Sequence, residues 1–235
     1  RSSFGSTVYD GKMWVMGGYS LNDVWYSTSG ISWTQATSVA NWAQRYRLKT
    51  MVYDDKMWIM GGDSPSNIPK NDVWYSTSGI SWTQATSTAE WLPRSNFGAF
   101  VYDNKMWVAG GASGTVNYSD VWYSTSGISW TQATSSAAWS ARQIFRSVTH
   151  DNKMWIFGGN DGSFKNDVWY STSGIVWTQA TSAAPWAVKT GLVAGSYNEK
   201  MWIFGGVTTP DPTYQNDVWY STSGISWTQA TSGAN

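Results

Sequence analysis

The first forty residues alternate short apolar runs with turn signals. Phe4 to Asp10 is β-branched and aromatic and ends at Asp10-Gly11. Lys12 to Met16 is apolar and stops at Gly17-Gly18, Asp23 to Ser27 stops at Ser29-Gly30, and Ile31 to Thr37 is the fourth run. Runs of this length between Gly, Asp, Asn and Ser predict four β-strands joined by tight turns. No 3.6-residue period competes, and Glu and Leu are scarce, which disfavours helix. In the second run Met13 and Val15 point one way, Trp14 and Met16 the other. A strand with one wet face alternates apolar with polar residues. Both faces here are apolar, so the sheet is expected to be covered on both sides.

The pattern then repeats. DVWYSTSGISWTQAT runs from Asp23 to Thr37 and returns from Asp72, Asp120, Asp167 and Asp217, changed only at Val176, where the other copies carry Ser. A second block, Lys-Met-Trp followed by an apolar pair and Gly-Gly, centres on Trp14, Trp58, Trp107, Trp155 and Trp202, at steps of 44, 49, 48 and 47 residues. Each unit holds four strands, and neighbours must cover both of its faces. That combination predicts an all-β fold, a β-propeller with five four-stranded blades. One propeller is expected over residues 1–235, with blades near 1–38, 39–87, 88–135, 136–182 and 183–235.

These units resemble the kelch repeat. The resemblance rests on the Gly-Gly that ends the second strand and on a Tyr and a Trp with six residues between them: Tyr26/Trp33, Tyr75/Trp82, Tyr123/Trp130, Tyr170/Trp177 and Tyr220/Trp227. The chain is also similar to the kelch-type propeller of galactose oxidase. Its Ser-Thr-Ser-Gly-Ile-Ser-Trp hairpin resembles the Asp-box turn of sialidases but lacks the Asp and is one residue shorter. Kelch propellers usually carry more blades and close with a blade that mixes strands from both termini. Here every blade is contiguous in sequence, so closure must rest on packing of the first blade against the fifth. A closed five-bladed ring is expected, with a piece of a larger ring as the alternative. Near-identity of the copies points to recent duplication or an engineered consensus.

Antiparallel strands place the turns after the first and third strands on one face of the disc. Loops after the second and fourth strands fall on the other. The hairpin turns barely vary, whereas the loops differ in length and content, from Tyr19–Asn22 to the run from Val207 to Asn216. Variation on one face marks it as the binding face. Thirteen residues before each Lys-Met-Trp tryptophan stands a cation: Arg1, Arg45, Arg94, Arg142 and Lys189. Fivefold geometry gathers them near the axial mouth. They either form an anion funnel, since fixed Arg forks suit planar oxyanions, or pair with the Asp that opens each third strand. Arg47, Lys49 and Arg146 occur in blades two and four only and have no repeat-matched acid, which makes them the sharper candidates. Loop tryptophans Trp42, Trp91, Trp139 and Trp186 could stack on a sugar or clamp adjacent blades; the other repeated tryptophans are packing.

Composition narrows the chemistry. Fifteen Lys+Arg balance fifteen Asp+Glu, which argues against a nucleic-acid grip built on bulk positive charge. The absence of Cys removes disulfides, thiolate nucleophiles and Cys-ligated metals. The single His, His150, takes the place of Tyr9, Tyr53, Tyr102 and Tyr197 and is read as a structural stand-in. A copper site like that of galactose oxidase needs a Cys-crosslinked Tyr and two His, and is excluded. Glycosidases need two carboxyls some 5–10 Å apart. Glu90 and Glu199 fall on opposite faces, and nothing in the spacing requires Asp63, Asp161 or Asp211 to approach Glu90. No apolar run approaches the roughly 20 residues of a membrane helix, and no signal segment or compartment is legible.

The sequence therefore reads as a non-catalytic binding or scaffold module, without cofactor or metal. Its loop face and mouth would engage a protein or carbohydrate, anionic in one reading, and the chain is expected to be a monomer bound to neither membrane nor nucleic acid. Alternatives are an engineered or amplified scaffold without a natural ligand and, less favoured, a glycoside hydrolase.

Overall fold

The computed structural model describes residues 1–209 and 212–233, among which every regular element is a β-strand. The first blade contains β1 (Gly5–Tyr9), β2 (Lys12–Gly18), β3 (Leu21–Ser27) and β4 (Thr34–Thr37), antiparallel in chain order. Four further sheets repeat this order, with first strands β5 (Lys49–Tyr53), β9 (Gly98–Tyr102), β13 (Arg146–His150) and β18 (Val193–Tyr197). In the fifth sheet a two-residue strand, β17 (Lys189–Thr190), also pairs with the second strand, β19 (Lys200–Thr208). The all-β propeller of five four-stranded blades read from the sequence is the fold.

The fourth strand starts at Thr34 rather than Ile31, because the preceding turn consumes those residues. Ser27 Oγ accepts the backbone N–H of Ser29 and Gly30, Ser29 Oγ accepts that of Ile31, and the Trp33 indole donates to Gly30 O. Local serine bonds of this kind compete with a strand ladder. The double glycine has a second job. Its first member is left-handed in all five blades, with φ between 48° and 62°. In the first three blades a side chain there would strike the next blade: a Cβ on Gly61 would lie 2.9 Å from Arg94 O. Instead Gly18, Gly62 and Gly111 donate their N–H groups to the carbonyls of Arg45, Arg94 and Arg142 at 2.9–3.0 Å.

Blades pack through their inner strands, β1 on β5, β5 on β9, β9 on β13 and β13 on β18. A buried apolar cluster fills each of these four interfaces, and each holds one loop tryptophan: Trp42, Trp91, Trp139 or Trp186. Those indoles stand edge-on to Trp82, Trp130, Trp177 and Trp227, with ring centroids 4.6–6.1 Å apart. In the middle blades both faces of the second strand are buried, as at Met57 to Met60.

The expected packing of the first blade on the fifth is not formed. Among the described residues no apolar cluster or hydrogen bond joins them. Trp33 is 39% exposed, whereas its counterparts Trp82, Trp130, Trp177 and Trp227 are 4–9% exposed. The four internal interfaces are each tied by a connecting loop whose Trp clamps the next blade.

Candidate functional site

The loop face is organised by charge. Each cation thirteen residues before a Lys-Met-Trp tryptophan meets the Asp that opens the third strand of its own blade. Arg45 forks onto Asp72 with both contacts at 2.7 Å, Arg94 onto Asp120 at 2.6 and 2.9 Å, and Arg142 onto Asp167 at 2.6 and 2.9 Å. Lys189 reaches Asp217 at 2.6 Å and Arg1 reaches Asp23 at 2.5 Å. The same Asp accepts an indole N–H two residues on, at 2.7–2.8 Å in all five blades. Arg45, Arg94, Arg142 and Lys189 are at most 2% exposed. Burial pushes the Asp72 carboxyl up, but the Arg45 fork and the Trp74 N–H outweigh it and hold the group below the usual carboxylate range. Of the two readings open to the fivefold cations, the structure takes the paired one; their donors are spent inside the blades.

The loop tryptophans are placed the same way. Trp42, Trp91, Trp139 and Trp186 are 0–2% exposed and lie inside the blade interfaces. They clamp neighbours and offer no face to a sugar ring.

Arg47, Lys49 and Arg146 behave differently. They come together in one cavity of about 240 Å³ at the mouth of the axis, with Ser3, Phe4, Leu48 and Asn96 completing its lining. No carboxylate lines it. Lys49 and Arg146 are the first residues of β5 and β13; the matching positions in blades one and three are Gly5 and Gly98. Long cationic arms from two blades thus share the mouth with bare backbone from two others. Burial, with the Arg146 charge beside it, lowers the Lys49 ammonium to about 8. Burial also lowers Arg146, whose Nε donates to Leu192 O of the next blade. The Lys49 ammonium makes no hydrogen bond or ion pair among the described residues. Arg47 keeps a loose contact with Asp63 at 3.3 Å and lies over the Tyr46 ring.

Backbone geometry sets the rim. The residue two after each fivefold cation is left-handed in all five blades: Ser3, Arg47, Asn96, Ile144 and Gly191, with φ of 53–68°. This conformation is unfavourable for a β-branched residue such as Ile144. It lets Arg47 and Ile144 donate their N–H groups to Ser3 O and Asn96 O of the preceding blade. These five residues share no chemistry, so the sequence pattern did not flag Ser3 or Asn96 as part of the mouth. Only their fixed distance from the cation could have done so.

The remaining polar candidates are engaged elsewhere. Glu90 accepts the Trp130 backbone N–H at 2.9 Å, and His150 Nδ1 lies 2.9 Å from Ser196 Oγ. Asp161 is held at about 2: burial raises it, but hydrogen bonds from Ser140, Ser163 and Lys165 prevail. Asp211 lies outside the described residues. Among those described, no group of three His, Cys, Asp or Glu is placed to hold a metal ion, and no helix is long and apolar enough to cross a membrane.

A search of curated proteins finds no match. The family model described as the KLHDC2/KLHL20/DRC7 Kelch-repeats domain matches residues 4–185, well over half of the chain. With its five kelch-type blades and that match, the chain belongs to the Kelch-repeat family.

Proposed function

We propose that this protein is a non-catalytic binding module whose axial mouth holds an anionic group of a protein partner. Kelch propellers typically serve as protein-interaction modules. One observation carries the finer reading: Arg47, Lys49 and Arg146 line a single cavity without a carboxylate, while every other cation near the mouth is already paired. An unpaired ammonium beside a guanidinium in a recess favours entry of a carboxylate, sulfate or phosphate oxygen. Two cationic strand ends flanked by glycines leave room for a side chain or chain end to descend between them.

Titration of a fluorescein-labelled hexaglutamate peptide at low salt tests this. Binding should weaken about tenfold, about 1.4 kcal/mol, in Lys49→Met and again in Arg47→Ala, and should fall as salt rises. Equal binding by these variants would sink the mouth as the site. No binding by the parent protein would favour a ligand-free scaffold.

A further inference from the structure

Among the described residues two flanks lack a neighbour, and they are the two halves of one interface. In each internal interface the forward face of one blade presents the Lys-Met-Trp tryptophan. The next blade caps it with the glycine of its outer hairpin. Gly79 lies on Trp14, Gly127 on Trp58, Gly174 on Trp107 and Gly224 on Trp155, so closely that a Cβ would meet the indole at 2.1–2.3 Å. The forward face of the fifth blade carries the same Trp202, uncapped, with its ring stacked on exposed Phe204 at 6.3 Å. The backward face of the first blade carries the cap, Gly30, where a Cβ would meet Met13 of its own blade, at 3.3 Å, and among the described residues no indole of another blade. Around Gly30, Phe4, Val8, Met13 and Trp33 are exposed.

The polar contacts are matched as well. Tyr9, Tyr53 and Tyr102 each donate a hydroxyl to a backbone carbonyl of the next blade, at 2.7–3.0 Å. Tyr197 is next but one in that series. It is 76% exposed, and its hydroxyl makes no hydrogen bond among the described residues. The carbonyls it would meet, by the register of the internal interfaces, are those of Gly11 and Thr28 on the first blade.

We propose that the fifth blade of one copy docks on the first blade of a second copy, reproducing head to tail the interface already formed four times within the chain. Such a contact is heterologous: each copy keeps one free flank, so copies join into rows or larger rings rather than stopping at a symmetric pair. It is expected to be weaker than the internal interfaces. The apolar hollow of about 300 Å³ between Phe4, Val15, Trp25 and Trp33 stays unfilled in it.

The chain has no Cys, so introduced thiols report the contact directly. In the first internal interface a Cβ on Gly5 would lie 2.3 Å from Thr50 Cγ2. The equivalent pair across the proposed contact is Val193 and Ser6, within reach of a disulfide. Equal amounts of Val193→Cys and Ser6→Cys protein, mixed and oxidised, should give a covalent dimer. Its yield should fall about tenfold when the first carries Trp202→Glu, or when the second carries Met13→Glu, the opposite half of the same contact. The double variant Ser6→Cys/Val193→Cys should give a ladder of oligomers. An internally cross-linked monomer would overturn the proposal, because the two flanks would then meet within one chain. So would a dimer yield that neither Glu substitution changes.

Discussion

Two sets of cations stand within one turn of chain of each other and have opposite fates. Arg45, Arg94, Arg142 and Lys189 recur in register with an Asp and are buried against it. Arg47, Lys49 and Arg146 break the repeat and converge on a recess without an acid. In the first set the fork, the carboxylate and an indole N–H satisfy one another, so the charge serves the blade. In the second set, among the described residues, the Lys49 ammonium has no partner and the Arg146 guanidinium gives one bond, to a carbonyl, so positive charge remains available at the mouth. In a near-perfect repeat, what recurs is under the same packing constraint in every blade. What departs from it is free to do something else.

Stability separates the sets most sharply. Arg94→Ala leaves the part-buried Asp120 with its indole partner alone, and should cost about 3 kcal/mol in denaturant unfolding. A loss under 1 kcal/mol would mean that the paired set is not structural. Trp91→Ala empties an interface and should cost about 3–5 kcal/mol, while Trp33→Ala, at the open flank, should cost far less in dilute protein. Lys49→Met should move the other way and gain on the order of 1 kcal/mol at neutral pH, since it removes a charge that burial disfavours.

The same Lys49 gives a pH signature. Its value of about 8 lies below the ordinary 10.5, so the unfolded chain holds this proton more tightly. Stability from this group should therefore rise as pH climbs from about 8 to 10.5. Affinity for the hexaglutamate probe should fall over the same climb, because the ammonium it needs is lost. Lys49→Met should flatten both profiles; unchanged profiles would place the titration elsewhere. The smallest effect belongs to Arg47→Ala, whose half-exposed contact with Asp63 is worth about 0–1 kcal/mol of stability, and which should act on binding alone.

Much of this was legible before any coordinates. Strand positions followed from apolar runs and turn residues, and the blades from the recurrence of the Lys-Met-Trp and Asp-Val-Trp blocks. Arg47, Lys49 and Arg146 stood out because no acid repeats with them. The loop tryptophans were ambiguous because an indole suits a sugar face and a blade interface equally well; the choice depends on which surface lies opposite. The rim formed by Ser3, Arg47, Asn96, Ile144 and Gly191 was invisible, since a shared left-handed backbone leaves no shared residue type behind.

By itself the sequence determined the all-β class, the five units and the two-sided burial of each sheet, because strand periodicity and turn chemistry act over a few residues. Tertiary structure decided which cations are spent and which are free, because that depends on distances between residues some 25 or more positions apart. It also decided that, among the described residues, no apolar cluster joins the first blade to the fifth. Apolar faces make such contact favourable wherever it can form. Whether two ends of an arc reach each other is set by the summed angles of four interfaces, and no local pattern encodes that sum.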